Sequence, residues 1–300
     1  MWFFFLVLSA FASPGEGFLC HDNNNCGSRG LLTERHVGPT KSDSIKVNPA
    51  AVPVEEVTGI ETIYYKGSFD VGLAKGLGRI GAAVSPSNSD ETFFGAPALE
   101  TPTDLIDRMD ARSKYSSGKL TGAVAVSLFN QTGSSLGDVH IQAGILGRYE
   151  GFSHHIKPGL GIQGIVGPVY AGASYLEDEM SVVPQTCLDT TLSTYSLGLS
   201  LNSVLVDYSV LTVSGDFHAT ATVGTVAVFF GRFILTGARR ETKSEERFFY
   251  DFATQGLANV TSQVDYFGGL QFKTTSFLIL GAFYNYYLLH EMSLGATVFF

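Results

Sequence analysis

Seven histidines and three cysteines are the side chains from which a catalytic or metal centre in this 300-residue chain would most readily be built. The stretch CHDNNNC places Cys20, His21 and Cys26 close together. Its two thiols suit a small disulfide loop in an oxidising compartment, with Cys187 left over. Zinc takes four ligands, more than these three supply, so no metal site is expected. His154, His155, His218 and His290 fall at expected strand ends or loops, with no nucleophile motif around them. Neither G-x-S-x-G nor H-E-x-x-H nor a phosphate-binding glycine loop occurs. The expectation is therefore a chain that is not an enzyme and carries no cofactor.

Composition narrows the class further. Charged residues make up 16% and hydrophobic ones 45%, with 34 glycines, which excludes both a disordered chain and a long-helix protein. A net charge of −9 argues against nucleic acid as a partner. The opening MWFFFLVLSAFASPG is an apolar run closing on Ala10-Phe11-Ala12, which reads as a secretory signal over residues 1–12 despite lacking a basic n-region. It is shorter than the roughly 20 residues a membrane helix needs, and no other segment reaches that length uninterrupted. A membrane location would have to be built from strands.

Strands are what the remainder offers. In LSTYSLGLSL, Tyr195, Leu197, Leu199 and Leu201 alternate with Thr194, Ser196, Gly198 and Ser200. HIQAGILGR sets Val139, Ile141, Ala143 and Ile145 against His140, Gln142, Gly144 and Arg148, and QVDYFGGLQFK sets Val264, Tyr266, Leu270 and Phe272 against Gln263, Asp265, Gln271 and Lys273. Expected strands of about 10 to 14 residues exceed the soluble norm and suit a tilted membrane crossing. Aromatics gather at their ends, as interfacial girdles do. In lipid an open sheet edge leaves amides unsatisfied, so the sheet must close.

The expected fold is all-β: a closed antiparallel transmembrane β-barrel over residues 58–300, with 14 strands, or 12 if the early hairpin is misread. Residues 13–57 form an N-terminal periplasmic or plug segment. Long connections are expected at 88–116, 150–157, 179–190 and 243–261, all after odd-numbered strands, with tight turns such as Gly167-Pro168 on the other side. That parity is the topology of bacterial outer membrane barrels, whose long loops face outward. The terminal EMSLGATVFF puts Met292, Leu294, Ala296, Val298 and Phe300 on alternate positions. It resembles the C-terminal assembly signal of bacterial outer membrane proteins, which implies the barrel assembly machinery and outer membrane lipid as partners.

Ahead of the barrel, Asp43-Ser44 followed by Asn48-Pro49-Ala50 resembles the D-x-S-x-x-x-N-P-A segment of the long-chain fatty-acid transporter family. The resemblance covers about 25 residues and the overall architecture, and it implies an N-terminal plug and a 14-stranded barrel. The chain departs from the family in being shorter and in carrying the CHDNNNC loop. An ordinary turn begun by Asn48 explains the same residues. On FLILGAFYNYYL, both faces are largely apolar, so inward Phe267, Phe277, Ile279 and Phe283 outline a path for an apolar substrate. Phe93 and Phe94, with Leu105, Ile106 and Met109 on a short loop helix begun by Thr103, could capture a greasy ligand or simply cover the barrel mouth.

The functional expectation is passive uptake or binding of a hydrophobic or amphipathic small molecule, such as a fatty acid, in the bacterial outer membrane. The alternative is a structural or adhesion barrel with a filled lumen, and the third reading a general polar porin.

Overall fold

The computed structural model describes residues 48–65, 68–87, 119–134, 137–150, 154–183, 186–201, 203–216, 218–244, 250–251, 256–257, 262–275, 277–285 and 291–300. The strands are β1 (Thr58–Tyr65), β2 (Ser68–Gly76), β3 (Ile80–Ser87), β4 (Lys119–Ser134), β5 (Gly137–Glu150), β6 (Ile156–Val166), β7 (Val169–Val183) and β8 (Thr186–Leu201). They continue as β9 (Val204–Gly215), β10 (Ala219–Phe230), β11 (Phe233–Ser244), β12 (Tyr250–Asp251), β13 (Gly256–Leu257), β14 (Ser262–Thr275), β15 (Leu278–Asn285) and β16 (Glu291–Phe299). All but β12 and β13 form one closed antiparallel barrel of 14 strands, each paired with its neighbours in sequence around the ring. β12 and β13 pair only with each other, inside the connection between β11 and β14.

The last strand closes the ring. β16 pairs with β1 from Gly59 opposite Phe299 to Tyr65 opposite Ser293. Just beyond it, Phe300 exchanges backbone hydrogen bonds with Thr58 at 2.9 and 3.3 Å. Leu294 and Phe300 point outward and are exposed, Ala296 and Val298 are half-buried, and the Met292 side chain lies outside the described residues.

The two faces of the wall are reversed relative to a soluble protein. Ile145, Leu160, Tyr195 and Leu197 are among the most exposed side chains, while Arg148, Asp207 and Thr194 are buried. Alternation with apolar residues outward and polar ones inward is what a barrel in lipid requires. At the tight-turn end, Phe230, Phe233 and Phe272 stack with ring centroids 5.7 and 4.9 Å apart, an aromatic cluster at the inner interface.

One expected boundary moves. Residues 179–190, read as a long loop, are mostly strand: β7 and β8 run 15 and 16 residues and leave only residues 184–185 between them. Polar residues such as Asp178, Asp189 and Thr190 obscure the period there, and cross-strand pairing carries the hairpin on, with the Thr190 hydroxyl donating to the Asp178 carbonyl at 3.3 Å.

Candidate functional site: the inner wall and the segment seated on it

Register, rather than any single strand, builds the site. Tracing inward-facing partners from strand to strand gives Phe299, Gly59, Ala74, Ala83, Ala123, Leu146, Gly159, Leu176, Leu192, Val213 and Ala219. Every member is small or aliphatic except Phe299, none is charged, and all are buried. Phe299 ends β16 at the tight-turn rim, and Ala219 begins β10 at the opposite rim. Strands in a barrel tilt, so a row perpendicular to them climbs the wall. This row is therefore an apolar ramp from one rim to the other. Leu146 and Leu176 lean over Gly159, where an added Cβ would lie 2.9 Å from the first and closer to the second.

The next inward-facing row toward the tight-turn rim is Gly76, Gly81, Ala125, Gly144 and Gly161, one small residue on each of five neighbouring strands. Residues 48–56 lie against it. An added Cβ on Gly76 would collide with the Glu55 carbonyl, on Gly81 with that of Pro53, on Gly144 with Pro49 and on Gly161 with the Asn48 side chain. The missing side chains form a groove cut to backbone depth.

Local chemistry fixes the segment in that groove. Pro49–Ala51 make one 3-10 turn, capped by Asn48, whose Oδ1 accepts from the Ala50 amide at 3.0 Å. The same side chain reaches the wall through Nδ2, which donates to the Ile162 carbonyl at 3.2 Å. Lower down, the Gly78 amide donates to the Val54 carbonyl at 2.7 Å and the Gly76 amide to that of Val57 at 2.8 Å. Val52 and Val54 join Ala74, Ala83, Ala123 and Ala125 in one apolar cluster with the ramp. Asn48→Ala removes both bonds of the Asn48 side chain and should weaken seating by about 1–2 kcal/mol. With the natural cysteines replaced by serine, a thiol at Val52→Cys should then react with maleimide about 5–30-fold faster. An unchanged rate would mean that Asn48 does not hold the segment.

Polar rows flank the ramp. Toward the long-loop rim, Arg148 Nη1 pairs with Asp178 Oδ2 at 2.9 Å, and its Nε donates to Thr121 Oγ1 at 3.3 Å. Toward the other rim, Gln163 donates to Gln142 at 2.9 Å. Below these, the Tyr170 hydroxyl donates to Asp207 Oδ1 at 2.8 Å and Ser209 to Oδ2 at 3.2 Å. The Tyr170 ring rests on Gly198, whose position tolerates no side chain. A buried carboxylate held this way is satisfied rather than reactive.

The expected site residues divide. Phe267 and Ile279 do face inward and are buried, Phe267 with the Arg240 guanidinium 4.8 Å above its ring and Ile279 in the apolar cluster with Phe299. Phe277 is corrected: it stands in the turn before β15 and is 54% exposed, because the strand begins only at Leu278. Phe283 lies on β15 opposite Gly269, and its side chain is outside the described residues. Among the expected polar inward residues, His140, Gln142, Arg148 and Gln271 are buried. Phe93, Phe94, Leu105, Ile106, Met109, Cys20, Cys26 and residues 1–47 with the expected signal sequence all lie outside the described residues. Asn48-Pro49-Ala50 is the expected motif that does meet the wall; the glycine groove and the ramp were not foreseen. Their sequence trace is one small residue per strand, which becomes a row only when register is known.

No family model matches the chain, and no curated protein matches it in sequence. Among solved structures it is similar to the NanC porin, at 10% identity and a TM-score of 0.37, over 81% of this chain and 99% of that one. It is also similar to Omp33 of Acinetobacter baumannii (9%, TM-score 0.41, 81% and 96% covered) and to OmpT of Vibrio cholerae (11%, TM-score 0.35, 81% and 96% covered). The closed 14-strand wall, its apolar exterior and its tight turns on one rim make this chain a bacterial outer membrane β-barrel.

Proposed function

We propose that the barrel is a non-enzymatic conduit or binding site for a hydrophobic or amphipathic small molecule of the fatty-acid type, moving passively along the inner ramp. The observation that carries this reading is the uncharged row from Phe299 to Ala219, which spans the wall from rim to rim. A water-filled pore is served by a polar lining and charged constrictions, which the ramp lacks. Ser174 and Thr194 continue the glycine row onto β7 and β8, with buried hydroxyls that have no hydrogen-bond partner among the described residues. Such groups favour a ligand with a polar head beside its apolar tail. Residues 48–56 act as the gate, since they pack beside the lower ramp. The C-terminal strand serves as the signal to the barrel assembly machinery.

Native mass spectrometry of the protein purified in detergent without added lipid tests this. The expected result is a co-purifying apolar or amphipathic molecule that Leu176→Asp abolishes while the barrel keeps its heat-resistant mobility on gels. Complete burial of the ramp favours one other reading, a structural or adhesion barrel with a filled interior. An empty protein that neither binds fatty acid nor speeds its entry into vesicles would establish that reading instead.

A further inference from the structure

The outer wall is apolar to unequal heights. On β6, the outward residues from Val166 up to Ile156 are all uncharged and non-hydroxylic, a run of 11 residues and so of ten steps along the strand. With a rise of about 3.3 Å per residue and a tilt of about 40°, that is about 25 Å, the full apolar band of an outer membrane barrel. β5 matches it from Val139 to Tyr149. Across the barrel the run stops early. On β8 it ends at Tyr195, six residues above Leu201, and Ser193 and Thr191 follow. On β11 it ends at Gly237, and Arg239, Glu241 and Lys243 follow on the same outward face.

Six residues correspond to about 15 Å, so Arg239 stands about 10 Å lower than a full band allows. Its side chain is 50% exposed and that of Lys243 67%. The two share one carboxylate, Glu241, at 3.0 Å each, which leaves an excess of one positive charge. Lys243 lies in register with Thr220, Thr212 and Ser193, so hydroxyls extend the polar edge over β8 to β10. Below the edge, Gly224 and Gly237 leave the wall bare, with nothing near the place of a Cβ.

We propose that the β8–β11 face binds phosphate-bearing lipid headgroups in a locally thinned outer leaflet, with Arg239 and Lys243 on the phosphate and the hydroxyl row beside it. Charge complementarity selects the occupant: cations in excess, hydroxyl donors in one register row and a smooth apolar wall beneath suit an anionic lipid. A charge facing full-thickness hydrocarbon would be unfavourable, and thinning of the bilayer relieves it.

Tyr195→Trp and Leu160→Trp each place an indole six residues above the tight-turn end, on the thin and the full side respectively. The full chain, whose natural tryptophan is Trp2, is reconstituted in phosphatidylcholine and phosphatidylglycerol vesicles containing lipids brominated near the headgroup or at mid-chain. The expected result is that headgroup-proximal bromine quenches Tyr195→Trp and mid-chain bromine quenches Leu160→Trp. Equal depths would overturn the thinning. Quenching of Tyr195→Trp should favour brominated phosphatidylglycerol over brominated phosphatidylcholine, and the double variant Arg239→Gln, Lys243→Gln should lose that preference. A preference that survives the double variant, or that inorganic phosphate abolishes, would overturn the headgroup contact. Quenching by neither lipid, with a dimer in native mass spectrometry, would assign the face to a second copy and overturn the proposal.

Discussion

Replacing Gly161 by leucine should unseat residues 48–56 and leave the barrel standing. The new Cβ alone would overlap the Asn48 side chain and sit 2.9 Å from Pro49 Cδ. The wall cannot yield without breaking ladder bonds on both sides, whereas among the described residues Asn48 is held to the wall by one side-chain hydrogen bond. Overpacking of this kind costs about 1–3 kcal/mol, enough to shift the seated state about 5- to 150-fold. A thiol at Val52→Cys should become reactive, and entry of an apolar dye into vesicles should rise. Gly224→Leu is the matched control, because its Cβ faces open space and the leucine would meet only lipid. If both variants behave like the parent, the groove does not hold the segment.

Asp178→Ala should be the most destabilising single change inside the wall. Asp178 and Arg148 are both buried, and breaking a buried ion pair by removing one partner costs about 3–5 kcal/mol. Urea unfolding in lipid vesicles should show the loss as an earlier midpoint. The double variant Arg148→Met, Asp178→Leu should recover most of it, since a buried ion pair can be exchanged for packed apolar side chains at little net cost. A single variant as stable as the parent would show that the pair is not desolvated.

Period-two patterning was enough to read the barrel. It marks strands whichever way their apolar face points, and loop parity then distinguishes a membrane wall from a sandwich. The patterning also misled locally. At Phe277 the alternation continues one residue beyond the strand, into the turn. At residues 179–190, charged side chains hid a hairpin that cross-strand pairing sustains. The ramp and the groove were beyond reach for a different reason. Ala74, Ala83, Ala123 and Leu146 lie on four strands separated by turns and a long connection, and no local pattern says they share a row. Register is a property of pairs, and one chain read in order does not display it. Asn48-Pro49-Ala50 stood out because its chemistry is local: a cap, a fixed φ and a small residue.

The ramp crosses eleven strands, and neighbouring strands lie about 4.8 Å apart, so its ten steps measure about 48 Å, roughly twice the height of the wall. A ligand following it would move sideways about one and a half times as far as it descends. An unbranched, flexible tail can bend with that spiral and touch several strands at once, so it is handed forward without ever letting go. A rigid fused ring of equal hydrophobicity touches one or two and must detach at each step. On the proposed function, such a wall would favour supple ligands over rigid ones of equal polarity.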